Sequence, residues 1–132
     1  MKNSFILILS LLLSTSLFSC SDAVRDFKYM GKLREALDKK YPNQKIELNI
    51  TNGKALSVSF VNTSYNDSSD SIKRKIACQI GALIENSSEE HPNFESGEVI
   101  FTNKHNYVIA SSSKSETFAI CFHDCAECEG IK

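Results

Sequence analysis

Proline occurs twice in the 132 residues, too rarely for a Pro-rich linker, and low complexity is confined to one serine-rich stretch, Ser111-Ser112-Ser113, read as a turn. Neither charge sign dominates: 15 basic residues against 16 acidic ones leave a formal net charge of −1. Without a basic patch or interleaved aromatic and basic residues, binding nucleic acid by neutralising phosphates is excluded as an expectation. The three histidines stand outside any nucleophile motif of the Gly-x-Ser-x-Gly kind, so nothing points to hydrolysis. A membrane-crossing run is lacking too. The apolar stretch Phe5-Ile6-Leu7-Ile8-Leu9-Ser10-Leu11-Leu12-Leu13 is shorter than the roughly 20 residues a spanning helix needs.

That stretch follows Met1-Lys2-Asn3 and gives way to small and hydroxyl residues from Ser14. A basic start, a short greasy segment and a processing region form an export signal. Its last residues, Leu17-Phe18-Ser19-Cys20, resemble the lipobox of bacterial lipoprotein precursors: an aliphatic residue, a variable one and a small one directly before a cysteine. The resemblance implies cleavage before Cys20 by the lipoprotein-processing machinery and acylation of Cys20, palmitate-type chains then holding the protein to a membrane. Two or three chains, at about 0.8 kcal/mol per buried methylene, make such attachment stable where one would not. Ser21 rather than Asp follows the cysteine, which under the familiar sorting rule directs the protein to the outer membrane of the cell envelope.

Removing residues 1–19 from the 132 leaves 113, one domain's worth. The expected organisation is a signal peptide over 1–19, a lipidated tether over 20–26, a single α+β domain over 27–124 and a cysteine-containing tail over 125–132. Phe27, Met30, Leu33, Leu37 and Tyr41 recur at spacings of three and four, so they form one helical stripe ending before Pro42. A second helix follows the capping-rich run Asn66 to Ser71, with Ile72, Ile76, Ile80, Leu83 and Ile84 as its apolar face. Lys73, Arg74, Lys75 and Glu85 are expected to point away from it.

Between the helices, residues 45–50 and 56–60 alternate as two strands around Thr51-Asn52-Gly53. A two-residue Asn-Gly turn would put their apolar residues on opposite faces. A three-residue loop, Thr51 to Gly53 with Gly53 left-handed, restores a common face by pairing Leu48 with Leu56 and Ile46 with Val58. The outward face then carries Asn49, Ser57 and Ser59. Downstream, residues 97–102 and 106–110 read as a second hairpin turning at Asn103-Lys104-His105, and 116–122 as a further strand with Phe118, Ile120 and Phe122 alternating. The expected fold is α+β in the order α-β-β-α-β-β-β, an antiparallel sheet of four to five strands with two helices on one face.

Four cysteines remain beside Cys20: Cys78, Cys121, Cys125 and Cys128. Export makes disulfides durable, and four thiols allow three complete pairings. A helix-to-sheet bridge from Cys78 to Cys121, with Cys125 closing on Cys128, is one arrangement; the alternative keeps Cys78 as a small buried hydrophobe. Cys121, His123, Cys125 and Cys128 lie within eight residues and are the candidate ligands for a metal such as zinc. The functional expectation is a non-enzymatic lipid-anchored module with no resident cofactor that contacts another envelope protein or a small ligand. The competing expectation is a metal-binding or thiol-redox lipoprotein built on the C-terminal Cys/His cluster.

Overall fold

The computed structural model describes residues 19–87, 93–106 and 111–122. It is α+β: helix α1 (Ser19–Lys40), strands β1 (Ile46–Thr51) and β2 (Ala55–Val61), a single 3-10 turn (Ser64–Asp67), helix α2 (Asp70–Asn86), and strands β3 (Ser96–Asn106) and β4 (Ser111–Ala119). The four strands make one sheet in the order β1-β2-β3-β4. The α-β-β-α-β-β order matches the expected one except that the described residues hold one strand fewer after the second helix, and the sheet is mixed rather than purely antiparallel, because β2 and β3 run parallel. Parallel neighbours need a crossover, and the segment holding the 3-10 turn and α2 supplies it.

Alternation decides which face of each strand is buried. Ile46, Leu56, Val58 and Phe60 of the first hairpin and Val99 and Phe101 of β3 join Tyr29, Leu33, Leu37 and Tyr41 of the first helical stretch and Ile76, Ala77, Ile80 and Ile84 of α2 in one core. Rings lock its centre. Phe60 stacks on Phe101 with centroids 5.3 Å apart, while Tyr41 and Tyr65 meet Phe60 edge-on.

The helical stripes differ from expectation by a rotation. In α1 the buried line begins at Tyr29, and Phe27 is 80% exposed. In α2, Ile72 is exposed and Lys73 is buried, so the inward line runs Lys73, Ile76, Ala77, Ile80, Ile84. The reason lies in what faces that line: Lys73 lays its alkyl stem inward, with Nζ 5.6 Å from the Phe101 ring centroid, and ends on the Glu116 carboxylate of β4. Arg74 is likewise not free of the protein, its guanidinium lying 5.6 Å from the Phe118 ring centroid.

Turn chemistry also departs in detail. The first hairpin closes over Asn52, Gly53 and Lys54, so Leu48 pairs with Val58 and Ile46 with Phe60. Asn52 (φ 53°) and Gly53 (φ 67°) are both left-handed, and the Lys54 N–H donates to the Thr51 carbonyl at 3.1 Å. That is the φ pattern of a tight Asn-Gly turn, and the extra residue Lys54 restores the parity that a two-residue loop would break. A register displaced by two keeps the same residues inward, so the buried face was anticipated although the partners were not.

In the second half Asn103-Lys104-His105 are not a turn. They belong to β3, which continues beyond the end of β2 and pairs with Lys114, Ser113 and Ser112. The serines, expected as a turn, are thus ladder residues of β4. The connection, residues 107–110, lies outside the described residues, as do most of the export signal and the tail from 123 on.

Candidate interaction surface

With both helices against one face of the sheet, the other face is left to short side chains. Register sets them out in rows across the four strands: Asn49, Ser57, Glu98, Ala119, then Glu47, Ser59, Ile100, Thr117. Among the described residues no helix packs on this face. Asn49 and Thr117 are exposed, and Ser57, Ser59 and Ile100 are half-buried by their neighbours. The expected cluster of Asn49, Ser57 and Ser59 is therefore assembled, and Ile100 and Thr117 extend it in a way the first hairpin alone could not reveal.

Hydrogen bonds hold the surface in shape. The Ser57 hydroxyl donates to Glu98 Oε1 at 3.0 Å, and Asn49 Nδ2 donates to Thr51 Oγ1 at 3.3 Å. Towards one end Lys104 of β3 reaches over β2 to Glu47 of β1, Nζ to Oε2 3.6 Å, beside the buried Val61 and Thr102. Such exposed ion pairs contribute about 0–1 kcal/mol each, so their effect is on charge pattern more than on stability. The result is a shallow surface of hydroxyl, amide and alkyl groups bounded by charges. It places donors and acceptors beside small apolar patches.

Polar residues also brace the end of the sheet where β2 leaves it. Asn62, left-handed at φ 53°, turns its side-chain amide onto β3: Nδ2 donates to the Lys104 carbonyl at 3.1 Å and Oδ1 accepts from the Lys104 N–H at 2.6 Å. A side chain thus replaces the missing strand. Behind it the buried Asn66 accepts from the Thr63 hydroxyl at 2.6 Å and donates to Asn103 Oδ1 at 2.9 Å. Nothing in the local periodicity announces these roles; only the run of Asn, Thr and Ser after β2 hints at them.

The remaining candidates sit elsewhere. Cys20 falls in the first turn of α1, so the expected tether 20–26 is helical. Cys78 and Cys121 are both disulfide-bonded. Gly81, one turn along α2 from Cys78, meets the segment after β4 so closely that a Cβ there would come within 1.9 Å of the Cys121 carbonyl oxygen. This contact brings Cys121 to the face of α2 that carries Cys78, and the pairing it supports is Cys78 with Cys121. A half-cystine has no thiolate to give a metal, which takes Cys121 out of the candidate ligand set. His123, Cys125 and Cys128 lie outside the described residues, and among the described residues no group of three His, Cys, Asp or Glu is arranged to hold a metal ion.

Three titrating groups are displaced among the described residues, Tyr29, raised by burial, being joined by Glu116 and Tyr41. Glu116 is held below the usual carboxylate range, first by the hydrogen bond from Lys73 and then by that lysine's charge. Burial raises the Tyr41 phenol to about 12, and its hydroxyl donates to Gln79 Oε1 at 3.2 Å. Glu116 and Tyr41 both belong to the helix–sheet interface rather than to the open face. Among the described residues no helix is long and apolar enough to cross a membrane. Compared with known proteins, the chain matches no family model, no curated protein and no solved structure.

Proposed function

We propose that the chain is an exported lipoprotein of the cell envelope, processed before Cys20, held by lipid on that residue at the outer membrane, and used as a non-enzymatic binding module. The observation that carries the binding role is the sheet face on which none of the described helices packs, where Asn49, Ser57, Ser59, Ile100 and Thr117 lie side by side. Short side chains on a rigid sheet lose little conformational entropy when covered, and backbone curvature rather than long flexible groups then determines the fit. The partner is another envelope protein. A half-buried isoleucine among hydroxyls and amides suits a mixed protein surface.

The anchor rests on Leu17-Phe18-Ser19-Cys20 and is supported by the disulfide-bonded Cys78 and Cys121, which require an oxidising compartment to persist. A metal or thiol-redox role centred on Cys121, His123, Cys125 and Cys128 finds less support, since Cys121 is already oxidised.

Photo-crosslinking residues placed at Ser59 and at Thr117 test the binding role, with Lys75 and Ala82 on the outer side of α2 as reference positions. One and the same partner should be captured from both sheet positions and from neither helical one. Equal yields from all four would remove the sheet face from consideration. For the anchor, Cys20→Ser should abolish incorporation of labelled palmitate and release the protein from membranes.

A further inference from the structure

Val24 and Phe27 are two of the three large apolar side chains left exposed among the described residues, at 54% and 80%. Both lie near the start of α1, whose buried line is Tyr29, Leu33 and Leu37. At 3.6 residues per turn Val24 and Phe27 fall on the opposite side of the helix. They also fall in the helical register of Cys20, which precedes them by four and seven positions. Lys28 and Lys32, both exposed, flank the stripe.

We infer that this outward stripe of α1 is a membrane-contact surface, with Val24 and Phe27 lodged between the headgroups and acyl chains of the bilayer to which Cys20 ties the protein. The inference rests on lipidation of Cys20 and adds an orientation to it. Helix α1 carries the chain from Cys20 to Phe27 without a flexible spacer, over about 10 Å at 1.5 Å per residue. A helix that short and rigid cannot move Phe27 far from a bilayer holding the acyl chains of its first turn. Lying flat buries both apolar side chains, whereas standing upright leaves them in water. Two side chains are too few to recruit a protein from solution, but an anchored protein has already lost its translational freedom, so they suffice to set its orientation. Lys28 and Lys32 at the margin suit anionic headgroups.

The consequence reaches the other side of the domain. The layers then run bilayer, helices, sheet, and the open sheet face points away from the membrane into the space where an envelope partner is met.

The chain contains no tryptophan, so Phe27→Trp introduces a single indole at a site already 80% exposed, where the fold tolerates it. The acylated protein is reconstituted in vesicles of phosphatidylethanolamine and phosphatidylglycerol with brominated acyl chains. In the Phe27→Trp protein, emission should shift to the blue and be quenched roughly twofold or more, and Thr117→Trp on the sheet face should stay unquenched. Water-like emission from Phe27→Trp, quenched no more than from Thr117→Trp, in protein whose mass shows acylated Cys20, overturns the membrane-contact surface and leaves the anchor standing. A mass showing unmodified Cys20 overturns both.

Discussion

Lys73 and Glu116 join α2 to β4 across the helix–sheet boundary: the lysine is 3% exposed, its stem lies on the Phe101 side of the core, and its ammonium donates to the glutamate. A cation at that depth is sustained by one carboxylate and one ring face, and the carboxylate itself stays in partial contact with water.

This pair gives the domain an acid sensitivity of known sign. The folded Glu116 carboxyl is held below its ordinary value, so the unfolded chain binds the proton more readily. Its contribution is present above the unfolded value and is lost as pH falls through the folded one. Urea midpoints should therefore decline below about pH 4.5, and Glu116→Gln should flatten that decline while lowering the midpoint at neutral pH. Lys73→Met, which keeps the buried stem, should retain more stability than Lys73→Ala. An unchanged acid limb in Glu116→Gln would show that the pair is not linked to folding.

Two helical glycines are expected to respond in opposite directions. Added at Gly31, a Cβ meets nothing within 4 Å, so Gly31→Ala should gain the helix-propensity difference of about 1 kcal/mol. Added at Gly81, it would stand 1.9 Å from the Cys121 carbonyl oxygen and 2.9 Å from the carbonyl carbon, both backbone atoms of the segment that follows β4. Overpacking there outweighs propensity, and Gly81→Ala should lose about 2 kcal/mol or more. Thermal melts of the two variants beside the parent read both signs.

Asn62 holds two positions at once, a left-handed backbone and a two-point hydrogen bond to Lys104. Asn62→Gly keeps the conformation and loses the bonds, at a cost of about 1 kcal/mol, while Asn62→Ala loses both and should cost about 2 kcal/mol. The amide of Lys104 should exchange faster with solvent in both variants, and a rate unchanged from the parent would show that the amide bridge does not protect β3.

What could be read in the sequence was whatever depends on near neighbours. The period of two in residues 45–50 and 56–60 fixed the inward face through parity, which survives a register displaced by two. The parallel pairing of β2 with β3 joins residues some forty positions apart, and no local pattern carries it. Phe27 and Ile72 satisfied helical spacing, yet they lie outward because periodicity defines a stripe only to within its width. Charge alone points Lys73 to solvent, whereas its place three and four residues before Ile76 and Ala77 is the signal that it stands on the inward line. Asn103 to His105 looked like a turn because their composition is that of turns, whereas a strand edge accepts polar residues when a partner ladder is present. On the site side, Asn49, Ser57 and Ser59 could be grouped because one hairpin carries all three. Ile100 and Thr117 could not, since the crossover delivers them.

The state of Cys78 and Cys121 separates the two functional expectations most directly. A bridge between them closes a loop of about 40 residues, for which the loss of unfolded-state freedom amounts to about 4 kcal/mol. Replacing both by serine should lower stability by about that amount, and reductant should do the same to the parent. Peptide mapping under non-reducing conditions should recover Cys78 and Cys121 in one linked pair. The Gly81 contact bears on this outcome, because it keeps the Cys121 backbone against α2 whether or not the sulfurs are joined, so the reduced protein should remain folded and re-oxidise to the same pair. If mapping instead returned Cys121 as a free thiol in purified exported protein, and that protein bound zinc in stoichiometric amount, the sulfur would be a ligand rather than a bridge. The metal-binding reading would then replace the contact surface as the account of the C-terminal cluster.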